Sequence, residues 1–132
     1  MKYKIVDGVK YTKKHEWARP EGSTATIGLT DYAQDKLGEI VFVELPDVGT
    51  EVEAGQGSAV VESVKAVADL YAPVDGTVVE INEELLDQPE LINSEPYEGG
   101  WVYKVEVKDP GQFDSLMDIE AYEKFVIEEE EK

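Results

Sequence analysis

The chain reads as a mainly β protein, and three observations lead there. Short β-branched and aromatic runs are punctuated by Gly, Pro, Asn and Asp from one end to the other. From Trp101 to Lys108 apolar and charged residues alternate, with Trp101, Tyr103, Val105 and Val107 on one face and Lys104, Glu106 and Lys108 on the other. A β motif also occurs twice, as Gly38-x-Ile40-Val41-x-Val43 and Gly76-x-Val78-Val79-x-Ile81. The repeat suggests two similar sheet halves on either side of Lys65.

The elements follow in order. Val9–Thr12 and His15–Ala18 are β-prone, Arg19–Ser23 is a turn by its Pro and Gly, and Thr24–Leu29 returns as the second arm of a hairpin. Thr30 can cap a short helix over Asp31–Leu37, with Asp31 at its positive end and Gly38 just past its last turn. Strands are then expected at Ile40–Val43, Glu51–Glu53, Ser58–Glu62, Ala66–Tyr71 and Thr77–Ile81. A helical turn can occupy 82–86, ended by Pro89, and 93–100 is too rich in turn formers for a regular element. Leu116, Ile119, Tyr122, Phe125 and Val126 have helical spacing, which predicts a C-terminal helix over roughly 115–127 capped by Asp114 or Ser115. The acidic residues that follow, 128–132, read as a solvated tail.

Composition narrows the function. The 132 residues suit one domain, and no linker-like stretch divides them. A formal charge of −18, from 30 acidic and 12 basic residues, repels nucleic acid and anionic membranes and favours a monomer whose partners have basic docking faces. No apolar run is long enough to span a bilayer, and no leader-like segment is apparent, so a soluble cytoplasmic protein is expected. Cysteine is absent and His15 is the only histidine, which removes thiol nucleophiles, thiolate metal sites and multi-histidine centres. His15 beside Trp17 reads as a packed strand residue, Tyr97 and Trp101 as anchors, and Lys36 as a solvated base.

One residue stands apart. Between Leu37 and Tyr103 the only base is Lys65, and it falls between two segments suited to pair, Ser58–Glu62 and Ala66–Tyr71. A lysine there sits at a hairpin tip, its amine held out on a flexible four-carbon stem and open to acylation by another enzyme. From position alone a solubilising charge is the favoured reading, since that is what a lone lysine at a hairpin tip usually is.

The surrounding residues shift that balance. Glu62-Ser63-Val64-Lys65-Ala66 resembles the modified-lysine turn of lipoyl domains. Further segments, Lys14–Trp17, Ile27–Gln34, Leu37–Pro46, Val61–Ala66 and Leu91–Trp101, resemble the H-protein family of the glycine cleavage system in order and spacing across nearly the whole chain. The resemblance implies a barrel-sandwich hybrid: two small antiparallel sheets in a core over roughly 24–108, with a short internal helix and a C-terminal helix added, all within a single lipoyl-carrier domain, 1–132.

It also implies a lipoyl group (lipoate as cofactor) on Lys65, with Glu62, Ser63, Val64 and Ala66 as the recognition turn. The implied partners are the pyridoxal-phosphate enzyme glycine decarboxylase, the aminomethyltransferase, dihydrolipoamide dehydrogenase and a lipoylating enzyme. The chain would then be their shared substrate, not an enzyme. Glu62 is a candidate for recognition by the lipoylating enzyme. Asp69 and Glu16 are candidates for contacting the cationic amine of a loaded arm. A biotin carrier would place methionine on both sides of the lysine, where Val64 and Ala66 stand. A relay handing lipoyl groups to other proteins, or an unmodified interaction module, are the remaining alternatives.

Overall fold

The computed structural model describes residues 2–132. Its first hairpin joins β2 (Glu16–Glu21) to β3 (Thr24–Leu29), with a short β1 (Lys10–Tyr11) outside β2. The turn is confined to Gly22-Ser23, tighter than the Arg19–Ser23 turn expected from its proline. Pro20 instead pairs opposite Ala25 within β2. β1 covers β2 only at Trp17 and Ala18, so Pro20 lies where β2 has no second neighbour and its missing N–H interrupts no ladder.

Helix α1 (Asp31–Leu37) has the expected bounds: Thr30 accepts a hydrogen bond from the Ala33 N–H, and Gly38 ends the helix at φ 85. β4 (Ile40–Glu44), β6 (Gly57–Ser63) and β7 (Val67–Tyr71) form a three-stranded antiparallel sheet in the order β4-β6-β7. β5 (Glu51–Val52), β8 (Gly76–Ile81) and β9 (Tyr103–Val107) complete a six-stranded sheet, β1-β2-β3-β9-β8-β5. The two copies of the repeated motif are β4 and β8, one in each sheet. Both carry a register shift at the same place, between Ile40 and Phe42 and between Val78 and Glu80. The repeat therefore encodes a bulged strand used once per sheet.

A helical turn, α2 (Glu84–Asp87), lies where one was expected. The segment after it is more regular than its composition suggested, because α3 (Leu91–Ser94) runs into Asn93 and Ser94. Ile92 is fully buried and holds that turn in place, and Glu95 leaves helical geometry ahead of Pro96. The C-terminal helix is displaced too. A 3₁₀ helix spans Pro110–Ser115, Met117 bridges to Tyr11 in extended form, and α4 runs Ile119–Glu130 with Asp118 as its cap. Leu116, counted in the helical spacing, packs instead against the inter-sheet core. The expected tail is helical to Glu130, whose carboxylate pairs with Lys36 at 3.1 Å and accepts from the Tyr3 hydroxyl. Lys36 is thus an ion-pair partner, not a merely solvated base.

Two apolar clusters result. One fills the space between the sheets with Ile27, Leu29, Ile40, Val43, Val61, Leu70, Val78 and Val105 among others. The other, aromatic, lies under α1, α4 and the N-terminal segment and includes Tyr11, Trp17, Tyr32, Tyr97 and Tyr122. Tyr122 stacks on Tyr11 with ring centroids 4.2 Å apart, and its hydroxyl lies 2.8 Å from Thr30 Oγ1 and 2.9 Å from His15 Nδ1. His15 is packed, as expected, but it lies in a bend ahead of β2 at φ 70 and not in the strand, and burial lowers its pKa against the opposing pull of Glu129. Among the described residues no buried side-chain nitrogen or oxygen lacks a partner.

Trp17 lies flat over Gly28, its registered neighbour on β3. A Cβ on Gly28 would come within 2.6 Å of Trp17 Cζ2. Trp17 Nε1 donates to both Leu29 O and Pro96 O, so the ring is tied in place and cannot slide away. Gly28→Ala is expected to cost about 2 kcal/mol through overpacking, read as a lower denaturation midpoint. An unchanged midpoint would contradict this packing.

The candidate carrier turn

β6 and β7 are joined by Val64, Lys65 and Ala66, with Glu62 opposite Val67 as the last registered pair. Short range alone would leave such a turn mobile, but here it is bonded from three directions. Across the turn, Ser63 N–H donates to Ala66 O at 2.8 Å. Within it, the buried Ser63 Oγ accepts from Ala66 N–H at 3.0 Å and from Lys65 N–H at 3.3 Å. From outside, Val64 N–H donates to Glu39 O at 3.0 Å, which clamps the tip to the start of β4.

Glu39 is itself held. Asn93 of α3 accepts from Ile40 N–H at 2.9 Å and donates to Gly38 O and to Gln34 Oε1, each at 2.9 Å. One amide thus fixes the backbone on both sides of Glu39. Sequence reasoning left Asn93 inside an irregular loop; an Asn at a helix end is a common turn signal, and nothing in the pattern points to its distant partners.

The lysine is free where its backbone is not. Lys65, Val64 and Ala66 are exposed, and Lys65 Cε would lie 3.4 Å from a Cβ on Gly38. The glycine that ends α1 is required by its φ of 85, and the lysine stem passes within ordinary contact distance of it. A shallow groove between α1 and α3, lined by Gln34, Asp35, Gly38, Glu39, Glu90 and Asn93, opens beside it.

The expected site residues divide into two groups. Glu62, Ser63, Val64 and Ala66 lie with Lys65 at the end of β6 and in the turn that follows it. Glu62 is exposed on the outer face of the three-stranded sheet, registered with Phe42 on one side and Val67 on the other. Asp69 is exposed on that same face, two residues further from the tip and opposite Val60. Glu16 is elsewhere. Only 2% exposed, it accepts from Thr12 Oγ1 at 2.6 Å and from Tyr71 N–H at 3.0 Å, so it joins β2 to the far end of β7. Burial raises its pKa, opposed by the Thr12 and Tyr71 hydrogen bonds and by Lys14. Tyr71 is about 13 Å along the strand from Val67. Glu16 is thus not at the lysine's base, and only an arm laid back along β7 comes near it.

Chemically, the turn offers a primary amine on a rigid mount. Among the described residues no group of three His, Asp or Glu side chains could hold a metal ion, and no helix is long and apolar enough to cross a membrane.

Residues 9–129 match the family described as Glycine cleavage H-protein. A glycine cleavage system H protein of Vibrio campbellii is 57% identical over 122 residues, covering 92% of this chain and 97% of the relative. The mitochondrial glycine cleavage system H protein 2 of Arabidopsis thaliana is 52% identical over 128 residues, covering 97% of this chain and 82% of the relative. Among solved structures, a glycine cleavage system H protein from Mycobacterium marinum superposes with a TM-score of 0.83 at 37% identity, covering 91% of this chain and 97% of that one.

Removing the Ser63 hydroxyl tests the mount itself. Ser63→Ala is expected to lose about 1 kcal/mol and to speed hydrogen exchange at the Lys65 and Ala66 amides relative to Val61. Unchanged exchange at those two amides would show that the hydroxyl does not hold the turn.

Proposed function

This chain belongs to the glycine cleavage H-protein family, and on that premise we propose that Lys65 bears a lipoyl group and that the chain carries the aminomethyl unit of glycine between the enzymes of that system. The observation that carries this reading is an exposed primary amine on a hairpin tip whose backbone is clamped by Ser63 and Glu39. Such a mount presents a long acyl arm while costing the fold nothing. The lipoyl group supplies a disulfide that takes up the aminomethyl unit and is left as a dithiol once the unit has been passed on.

The chain's own part is to present, steer and shield. In this reading it is a carrier shared by the enzymes, with its single histidine bonded to Tyr122 and no thiol of its own. The lack of cysteine suits a disulfide-bearing carrier, since a neighbouring thiolate would attack that disulfide. Asp69, exposed on the outer face, is placed to attract the cationic amine of a loaded arm folded back along β7. Glu16, the other candidate, is buried near the end of that path with its two oxygens engaged by Thr12 and Tyr71, so Asp69 is the carboxylate open to the arm.

The partners in this reading are glycine decarboxylase, the aminomethyltransferase, dihydrolipoamide dehydrogenase and the enzyme that attaches the lipoyl group. The acidic surface steers all of them without tight binding, with the chain a single-domain monomer in the cytoplasm feeding one-carbon metabolism.

Lys65→Arg tests this reading. The charge and the exposed position are kept, so folding and melting stay at wild-type values. Glycine cleavage reconstituted with the other purified enzymes falls to background, because a guanidinium does not accept the acyl group. Retained activity in this variant would refute the assignment of Lys65.

A further inference from the structure

Several large apolar side chains are exposed, and three of them lie in or beside the carrier turn: Val64, within it, is 66% exposed, Val67, just after it, 68%, and Phe42, registered with Glu62 just before it, 52%, whereas Val48, Val79, Leu86 and Ile127 lie elsewhere. Phe42, Glu62 and Val67 are registered across β4, β6 and β7, so they form one row on the outer face, with the carboxylate between two apolar groups. Val43, Val61 and Leu70 on these strands point inward and are buried. The next row away from the tip is Glu44, Val60 and Asp69. At the tip end of this face two apolar groups flank one carboxylate, with Glu44 and Asp69 in the next row, while Lys14 lies over Tyr71 at the far end of β7.

We propose that the row Phe42–Glu62–Val67 is the recognition surface for the enzyme that acylates Lys65, and that this enzyme meets it with an apolar pocket bordered by Lys or Arg. The inference rests on the reading that Lys65 is acylated. Reach decides which partner needs this surface most. An enzyme that acts on the loaded arm can stand off by the length of that arm. The acylating enzyme sees only four methylenes and an amine, so it must close on the hairpin tip itself. Phe42 is the exposed aromatic beside the tip, and aromatic side chains that become desolvated at the centre of an interface are typical anchors of binding energy. Charge complementarity sets the border: Glu39, Glu44 and Asp69 are exposed around the row, and Glu62 adds a carboxylate within it.

In the reaction served by this contact, the Lys65 ammonium gives one proton to the enzyme's base. The free amine attacks the carbonyl carbon of an activated acyl donor, a thioester or an acyl-phosphate anhydride. The C–N bond forms as the second proton leaves, and the thiol or phosphate departs with the electron pair of the broken bond.

The test uses the full unmodified chain, the purified lipoylating enzyme and its activated lipoyl donor, with mass addition on the Lys65 peptide as the readout. Phe42→Ser is expected to lower kcat/KM about tenfold or more, mainly through KM, and Phe42→Leu to restore most of it. Val67→Ser, a second change on the same row, is expected to act in the same direction. Val48→Ser is the control, because Val48 is 60% exposed but follows β4 at the end away from the tip. Oxidation of the dithiol form of the lipoylated Phe42→Ser carrier by dihydrolipoamide dehydrogenase is expected to fall less than its acylation does. Acylation of Phe42→Ser and Val67→Ser at the wild-type rate would overturn the proposal, as would an equal loss in Val48→Ser or an equal loss in the dehydrogenase reaction. No acylation of Lys65 in the wild-type chain would instead overturn the reading on which it rests.

Discussion

The hydrogen bond from Val64 N–H to Glu39 O, at 3.0 Å, sets how the exposed end of the molecule is built. A hairpin tip bonded only to itself frays, because its last residues bury little and their amides compete with water. This tip is instead joined to the opening of β4, and that opening is fixed through Gly38 and Ile40 by the side chain of Asn93. A chain of neutral hydrogen bonds therefore leads from α3 to the turn. Lys65 gains a rigid base without any contact that would hold its amine, which is what a carrier lysine requires.

The rest of the fold keeps stability away from that end. The inter-sheet core and the aromatic cluster under α1 and α4 hold the large apolar side chains, whereas the tip buries only Ser63. Glu16 and Ser58 tie the two sheets together at the other end of β7 and β6, through Tyr71 N–H and Tyr103 Oη. Changes at the tip can therefore alter recognition with small effects on folding. Changes at Trp17 or Tyr122 do the reverse. The acids follow the same division: those near Lys65 are exposed and unpaired by any base in the central segment, so they act on partners and not on the core.

Local signals made part of this legible. α1 has the bounds its Thr30 cap and Gly38 stop predicted, and the alternation from Trp101 onward marks β9. The doubled motif proved to be one bulged strand in each sheet. Misplaced elements are those decided by distant contacts. Leu116 has helical spacing, yet the bridge from Met117 to Tyr11 delays α4 until Asp118 can cap it. Pro20 reads as a turn but lies in a strand, because β1 is too short to reach it. At the candidate site, Lys65 stands out as the lone base of a long acidic segment, and the chemistry proposed for it comes from the family resemblance. Asn93 does not stand out, since its partners are more than fifty residues away. The burial of Glu16 was equally invisible, because only the packing of β2 against the end of β7 creates it.

Peptide mass spectrometry of the protein purified from its own host tests the central claim most directly, since every functional step depends on what Lys65 bears. The account predicts one lipoyl mass, on the peptide containing Lys65 and on no other lysine. An unmodified Lys65 in cells whose other lipoyl proteins are fully modified, or a biotin at that position, would contradict it.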